Sequence, residues 1–540
     1  MAQFLDLFGF LSVLIRGATL SLGAVSVGGV IFALIGGPNF TLPASGRRLL
    51  WISAFLLAAT QAFYVFSNSA ILSATTTLHL TELAGASYFL WGCASACAAV
   101  ALGILSAINA SQPKAWELAC SVVILSATVA TSHAAARMDH QIILIAATAG
   151  HQLAASAWIG GLPYLLLTLR NRGGSPSEAI ALCKRFSNLA LVSVSLLFAA
   201  GITLSIFYIG DPSALYGTTY GIMVCAKTLL FALILCLGAI NFRLIRSHDQ
   251  SGVNWLRRLG RIGEAEIGIG ITVLLAAASL TSQPPAIDLT NNRVDLSTVI
   301  QRMSPEVPSM HTPPLSTLSP STRERWKREH PPSSSGTQAY VPGENPYVPP
   351  TEGDILWSEY NHHWAGLVVL VMGILAVLAR YKRFSWARHW PLAFIGLAVF
   401  LLLRADPENW PLGPSGFWES FTSSDVAQHR LFVLLILLFA AFEWCVQTGR
   451  LAASKAALVF PAVCAVGGAL LLTHTHALSN LKEESLTELS HVPLALLAVT
   501  AGWARWLDLR FPGPGRKAAA RVWPVCFALI GVVLLLYREA

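Results

Sequence analysis

Residues 188–210 read NLALVSVSLLFAAGITLSIFYIG, 23 consecutive positions without a charged side chain. Helical at roughly 1.5 Å per residue, such a run crosses the ~30 Å hydrocarbon layer of a bilayer. Similar runs recur on both sides of it. Upstream they occupy about 8–36, 48–72, 84–109, 115–134 and 143–168, and downstream about 221–242 and 264–282. Six more follow at about 357–379, 388–405, 428–447, 455–476, 489–507 and 521–538. The spacing predicts an all-α polytopic integral membrane protein. Its about 14 transmembrane helices fall into two bundles, eight spans in residues 1–282 and six in residues 357–540.

Between the bundles, residues 283–356 hold 13 of the 28 prolines and include RERWKREHPPSSSG and VPGENPYVPP. That composition predicts a mostly extended or disordered, extracytoplasmic linker. Bulk composition agrees with the spans. The 540 residues are 54% hydrophobic and 12% charged, against about 25% charge in soluble domains, and mean hydropathy is +0.59. A cytosolic multidomain enzyme, a disulfide scaffold and a nucleic-acid binder are excluded.

The net charge of +8 is a topology signal. Of 36 Lys and Arg, 23 lie in alternate short connections, from Arg47-Arg48 through Arg257, Arg258 and Arg261 to Arg516, Lys517 and Arg521. Basic loops stay in the cytoplasm, so both termini and the linker are expected on the opposite side. The N-terminus lacks the basic start and small-residue cleavage site of a secretory signal, so the first apolar segment is expected to be retained. Most of the nine Cys lie within apolar runs, and no disulfide framework is expected. There is no GxxxxGK[ST], no CxxCH, and no Ser or Cys nucleophile with its own base. No residue is assigned as catalytic, and a non-enzymatic role is favoured.

Histidine placement is the most informative feature. His362 and His363 open one span of the second bundle, His429 opens another, His474 and His476 close a third, and His491 opens a fourth. All six fall at the outer ends of helices, in one expected layer. Neutral imidazoles that converge bind Cu, Zn, Fe or Ni. The pair in THTH lies about 200° apart on an ideal helix and converges only where the helix frays. Copper is the expected occupant. A haem b held by axial His429 and His474 is the alternative, although haem ligands usually lie deeper. In the first bundle, His133, Met138 and His140 bracket one outer connection, and Met beside His suits Cu(I).

His151 lies about two turns inside the fifth span. An ionisable group there is costly and marks either a functional site or an interhelical hydrogen bond. Lys227 also sits within a span, and Glu264 or Glu266 stands near Arg261 at the start of the eighth.

The runs KRFSNLALVSVSLLFAAGITLSIF (184–207), LYGTTYGIMVCAKTLLFALILCLGAINFRL (215–244) and LRRLGRIGEAEIGIGITVLLAAASLTSQPPA (256–286) resemble the copper-resistance protein D family. His151, Trp158, Gly160 and Gly161 resemble that family's preceding helix, and Lys227, Asn241, Glu266 and Pro284-Pro285 are further markers. The resemblance covers residues 1–286, most specifically 143–286. It implies a bacterial inner-membrane protein that handles copper as Cu(I) or Cu(II), surrounded by lipid and served by a separate periplasmic copper-binding protein. Lys227, Glu266 and Trp158 are then structural or transport residues. The six-span half departs from the short family members. Two functions are therefore expected from the sequence: transport or delivery of copper taken at outer His and Met groups, or membrane redox chemistry on haem or copper in the second bundle.

Overall fold

The computed structural model describes residues 2–37, 40–75, 79–108, 114–171, 176–246, 254–318, 325, 328–329, 351–418, 420, 424–451, 454–473, 481–511 and 515–539. Among the described residues there is no β-strand. Among them, twelve helices are long and apolar enough to cross a membrane. Two shorter apolar helices, Ala115–Ala130 and Lys455–Leu471, stand fourth and twelfth in the order of apolar helices. The chain is an all-α, multi-pass membrane protein. It folds as two compact units, the first mainly Met1–Leu215 with Met223–Asn291, the second mainly Asn292–Leu471 with Ala477–Ala540.

The first unit contains α1 (Ala2–Ile35), α2 (Ala44–Thr75), α3 (Ser87–Ile108), α4 (Lys114–Ala130), α5 (Gln141–Ala155), α6 (Leu162–Asn171), α7 (Pro176–Ile209), α8 (Thr219–Arg246) and α9 (Asn254–Thr281). Helix α1 is its hub, packing on α2, α4, α9 and the π-helical turn Ser156–Gly160 that joins α5 to α6. Small residues permit that approach. A Cβ on Gly28 would overlap the backbone of Ser156 and Gly160, and one on Gly160 would overlap the Ala24 carbonyl. In lipid, where apolar surface supplies no drive for helix association, such close backbone packing and buried hydrogen bonds hold helices together. Ser26 donates to Ser53 across α1 and α2 at 3.0 Å.

The second unit contains α10 (Leu296–Met303), α11 (Glu352–Leu378), α12 (Ala393–Arg404), α13 (Ser424–Gln447), α14 (Val459–Leu471), α15 (Leu481–Arg510) and α16 (Arg516–Leu535). Its core is aromatic: Trp390 lies 5.7 Å from Trp523, and Phe460 stacks on Phe527 at 6.0 Å. Helix α11 begins five residues before the apolar run that predicts it, because Thr351 and Asp354 form a capping box. The Asp354 N–H donates to Thr351 Oγ1 at 3.2 Å, and the Thr351 N–H donates to Asp354 Oδ2 at 3.0 Å. Two backbone donors that the helix itself leaves open are thereby satisfied.

The expectation of an extended linker is corrected over residues 296–318. Helix α10 forms there, and Leu318 is buried against Trp357 and Tyr360. Trp364 Nε1 donates to the Met310 carbonyl at 3.2 Å, and Thr312 to the Tyr360 hydroxyl at 3.2 Å. A Pro-rich chain still folds onto a surface that offers donors for its carbonyls and an apolar seat for Leu318.

A buried ion network ties α13 to α15. Arg505 donates to Glu443 at 2.9 Å and to Asp508 at 2.7 Å. Asp508 also accepts from Arg380 at 3.4 Å, Arg516 at 3.3 Å and Trp523 Nε1 at 3.2 Å. The sequence reading had treated these arginines only as topology signals.

Candidate functional site

The first unit carries its ionisable intramembrane residues on α5, α8 and α9: His151, Lys227 and Glu266. Helix α5 runs into the π-turn, whose five residues, Ser156 to Gly160, are all buried. Such an inserted residue is frequent at functional sites because it re-aims the side chains beside it. Trp158 is held edge-on against Phe231 of α8, ring centroids 6.3 Å apart. One turn before the π-turn, His151 faces the Leu197 backbone of α7 and lies within the field of the Lys227 ammonium. Its Nδ1 is buried without a hydrogen-bond partner. Met223, fully buried, stands four residues before Lys227 and so on the same face of α8.

Glu266 of α9 is 3% exposed and accepts a short hydrogen bond from Asn241 Nδ2 of α8. Glu264 is the residue that meets Arg261 at 2.8 Å and Arg170 at 3.0 Å. The two alternatives left open by sequence are thereby resolved: one glutamate serves a charged surface, the other a buried α8–α9 contact.

At the other end of α1, Arg16 donates to Thr281 at 2.9 Å and reaches the Tyr64 hydroxyl at 3.5 Å. It borders a cavity of about 50 Å³ that is also lined by Gln61, Ser95, Thr128 and Thr131. His133 turns toward the same end of α1. Burial and the Arg16 charge hold its imidazole below its ordinary value of 6.5. The unfolded chain therefore takes up the proton first, and folded-state stability should fall as pH drops through 6.5 and below. In His133→Gln, thermal unfolding in detergent should lose that part of its acid sensitivity; an unchanged profile would assign it elsewhere. Met138 is 95% exposed, and His140, at φ 54°, is exposed and packs on Phe207 at 4.9 Å. The His133, Met138 and His140 side chains thus do not converge.

In the second unit, His362, His363 and His491 gather with the segment after α16. His362 stacks on Tyr537 at 4.0 Å and donates Nδ1–H to the Ser358 carbonyl at 2.8 Å. His491 makes the same bond to the Thr487 carbonyl at 2.7 Å. Both nitrogens of His363 face carbonyl oxygens, Ser309 at 3.2 Å and Tyr537 at 2.8 Å, leaving that ring no nitrogen for a metal. Glu539 accepts from Tyr537 at 2.6 Å and from Ser358 at 2.8 Å. Burial pushes its carboxyl up, but those hydroxyls and Arg302 outweigh it and hold the group below the usual carboxylate range.

His429 is elsewhere, its Nδ1 2.8 Å from Asp406, in an ion cluster with Arg430. His474 and His476 lie outside the described residues. Among the described residues, no group of three or more His, Cys, Asp or Glu has an arrangement that would hold a metal. Imidazoles at a common depth are legible from sequence; the carbonyls and carboxylates that engage them are not.

Two features escaped the sequence reading. Met223 has a usable signal, its i,i+4 relation to Lys227 on one helix. The π-turn has none, since local propensity does not register an extra residue in a turn.

The fold and these groups define a multi-pass membrane protein whose first unit holds ionisable side chains within its spans. The family model described as copper resistance protein D matches residues 180–280, from α7 to α9. Residues 180–280 are thus similar to the copper resistance protein D family. A curated relative, the copper transport protein CutJ of Bacillus subtilis (strain 168), is 34% identical over 163 residues, 30% of this chain and 29% of that one. The chain therefore aligns with less than a third of that relative's length. No solved structure matches.

Proposed function

We propose that this chain is a bacterial inner-membrane copper-handling protein. It takes copper at outward-facing His and Met groups and moves it across the membrane or delivers it to a separate periplasmic copper-binding protein. Its domains would then be an eight-span unit (1–282), a periplasmic segment (283–356) and a six-span unit (357–540), with both termini periplasmic. The observation that carries this reading is His151. An imidazole nitrogen buried without a partner inside a span of a CopD-like unit is a costly arrangement, and neutral imidazole is a ligand for copper. Met223 supports the Cu(I) form, because a buried thioether on the face of α8 that bears Lys227 is a soft ligand. Lys227 keeps positive charge near His151, which disfavours a resident cation and suits passage over storage. Trp158 and Glu266 hold α5, α8 and α9 in place around the site.

The test is Cu(I) uptake into proteoliposomes containing the purified chain. His151→Ala is expected to lower the initial rate at least about tenfold, and Met223→Leu to lower it less, with insertion unchanged for both. A wild-type rate in His151→Ala would return that residue to a packing role. In parallel, the double change His474→Ala and His476→Ala should lower copper bound to the purified protein. Copper content equal to wild type by elemental analysis would remove those two from the outer acquisition site.

A further inference from the structure

At the arginine-rich end of the second unit, a cavity of about 250 Å³ is bounded by Arg380, Arg505, Arg516, Asp508, Trp390 and Trp523. Two of its lining residues carry donors that the fold leaves unused. The Trp390 indole N–H is buried without a partner, on a residue 2% exposed. Arg505 Nε is likewise buried and unpartnered, on a side chain 8% exposed. Arg380 and Arg516 stand nearer solvent, at 29% and 61% exposed.

Three guanidiniums surround two carboxylates, Asp508 and, behind Arg505, Glu443, so one positive charge is left over. Asp508 is occupied by all three arginines and by Trp523 Nε1. Buried N–H groups are costly when unmet, and indole and guanidinium nitrogens offer only donors.

We propose that this cavity binds a phosphate-bearing anion, seated on Trp390 Nε1–H and Arg505 Nε–H and enclosed by Arg380 and Arg516. Guanidinium matches phosphate oxygens in geometry and charge. Basic pockets between transmembrane helices also receive the head groups of anionic lipids. The shared chemistry is the phosphate; its source is a free anion or a phospholipid head group.

The full-length chain, purified and delipidated in a neutral detergent, is titrated with inorganic phosphate and separately with dihexanoyl phosphatidylglycerol, while thermal unfolding is followed. Dihexanoyl phosphatidylcholine is the amphiphile control. A saturable rise in Tm is expected. A rise with both probes assigns free phosphate as a ligand, and a rise with phosphatidylglycerol alone assigns the lipid head group. Arg380→Gln and Arg516→Gln are each expected to weaken binding about tenfold, as loss of one charge-assisted hydrogen bond does. Trp390→Phe, which removes only the indole donor from a similar ring, should weaken it severalfold. No saturable shift with either probe, or equal affinity in wild type and Trp390→Phe together with whichever arginine variant folds, would overturn the proposal.

Discussion

Asp508→Leu is expected to destabilise the second unit by about 3–5 kcal/mol, the usual cost of removing one partner from a buried ion pair. The carboxylate is 1% exposed and is the one acceptor shared by Arg380, Arg505, Arg516 and Trp523. Arg380 and Arg516 reach solvent and recover hydration when it is lost. Arg505 does not: at 8% exposed it keeps only Glu443 as counter-ion, and its inner N–H groups face an apolar leucine. The complementary expectation concerns replacing the whole network. Changing Glu443, Arg505 and Asp508 together to Leu, Met and Leu should cost far less than the single change, because no uncompensated charge then stays buried. Reversible unfolding in mixed SDS micelles would measure both. A loss under about 1 kcal/mol in Asp508→Leu would mean that water reaches the network and screens it.

Gly160→Ala should be as damaging in the first unit, costing about 3 kcal/mol or more, at or beyond the upper end of ordinary overpacking. The added methyl would overlap the Ala24 carbonyl, and backbone on a packed helix cannot rotate aside as a side chain can. Helix α1 must then move off the π-turn, and Gly28, which meets the same turn from the opposite side, loses its seat. Gly23→Ala is the control, since a Cβ there meets nothing within 4 Å on the same helix. Its expected change is small and favourable, as alanine replaces glycine in a helix. Equal thermal stability of the two variants in detergent would show that the α1 crossing is not tightly packed. If the proposed function holds, Gly160→Ala should also slow copper uptake, because the π-turn begins about one turn after His151, whereas Gly23→Ala should leave it intact.

The helices were legible because each depends on its own residues. The run 188–210 is apolar throughout, and α7 (Pro176–Ile209) contains nearly all of it. Boundaries were less so. Helix α11 starts at Glu352 because a Thr–Asp capping box closes its first turn, and an apolar window does not register a cap. Proline content predicts an extended or disordered 296–318 but carries no information on a docking surface; Leu318 and the Met310 carbonyl find partners on α11.

Among the candidate ligands, the depth of His151 within a span was visible in the sequence, whereas its unpartnered Nδ1 was not. Of the histidines expected at one outer level, His362, His363 and His491 lie near one another in the second unit, while His429 joins Asp406.

Taken alone, the amino-acid order determined where the long apolar helices lie and how basic residues are shared between connections, since hydropathy and charge add up locally along the chain. Tertiary structure alone decided which carbonyl holds each imidazole, where α1 meets the π-turn, and that three arginines share Asp508. Those are contacts between residues far apart in sequence, and in a bilayer every such polar group must find its partner within the protein.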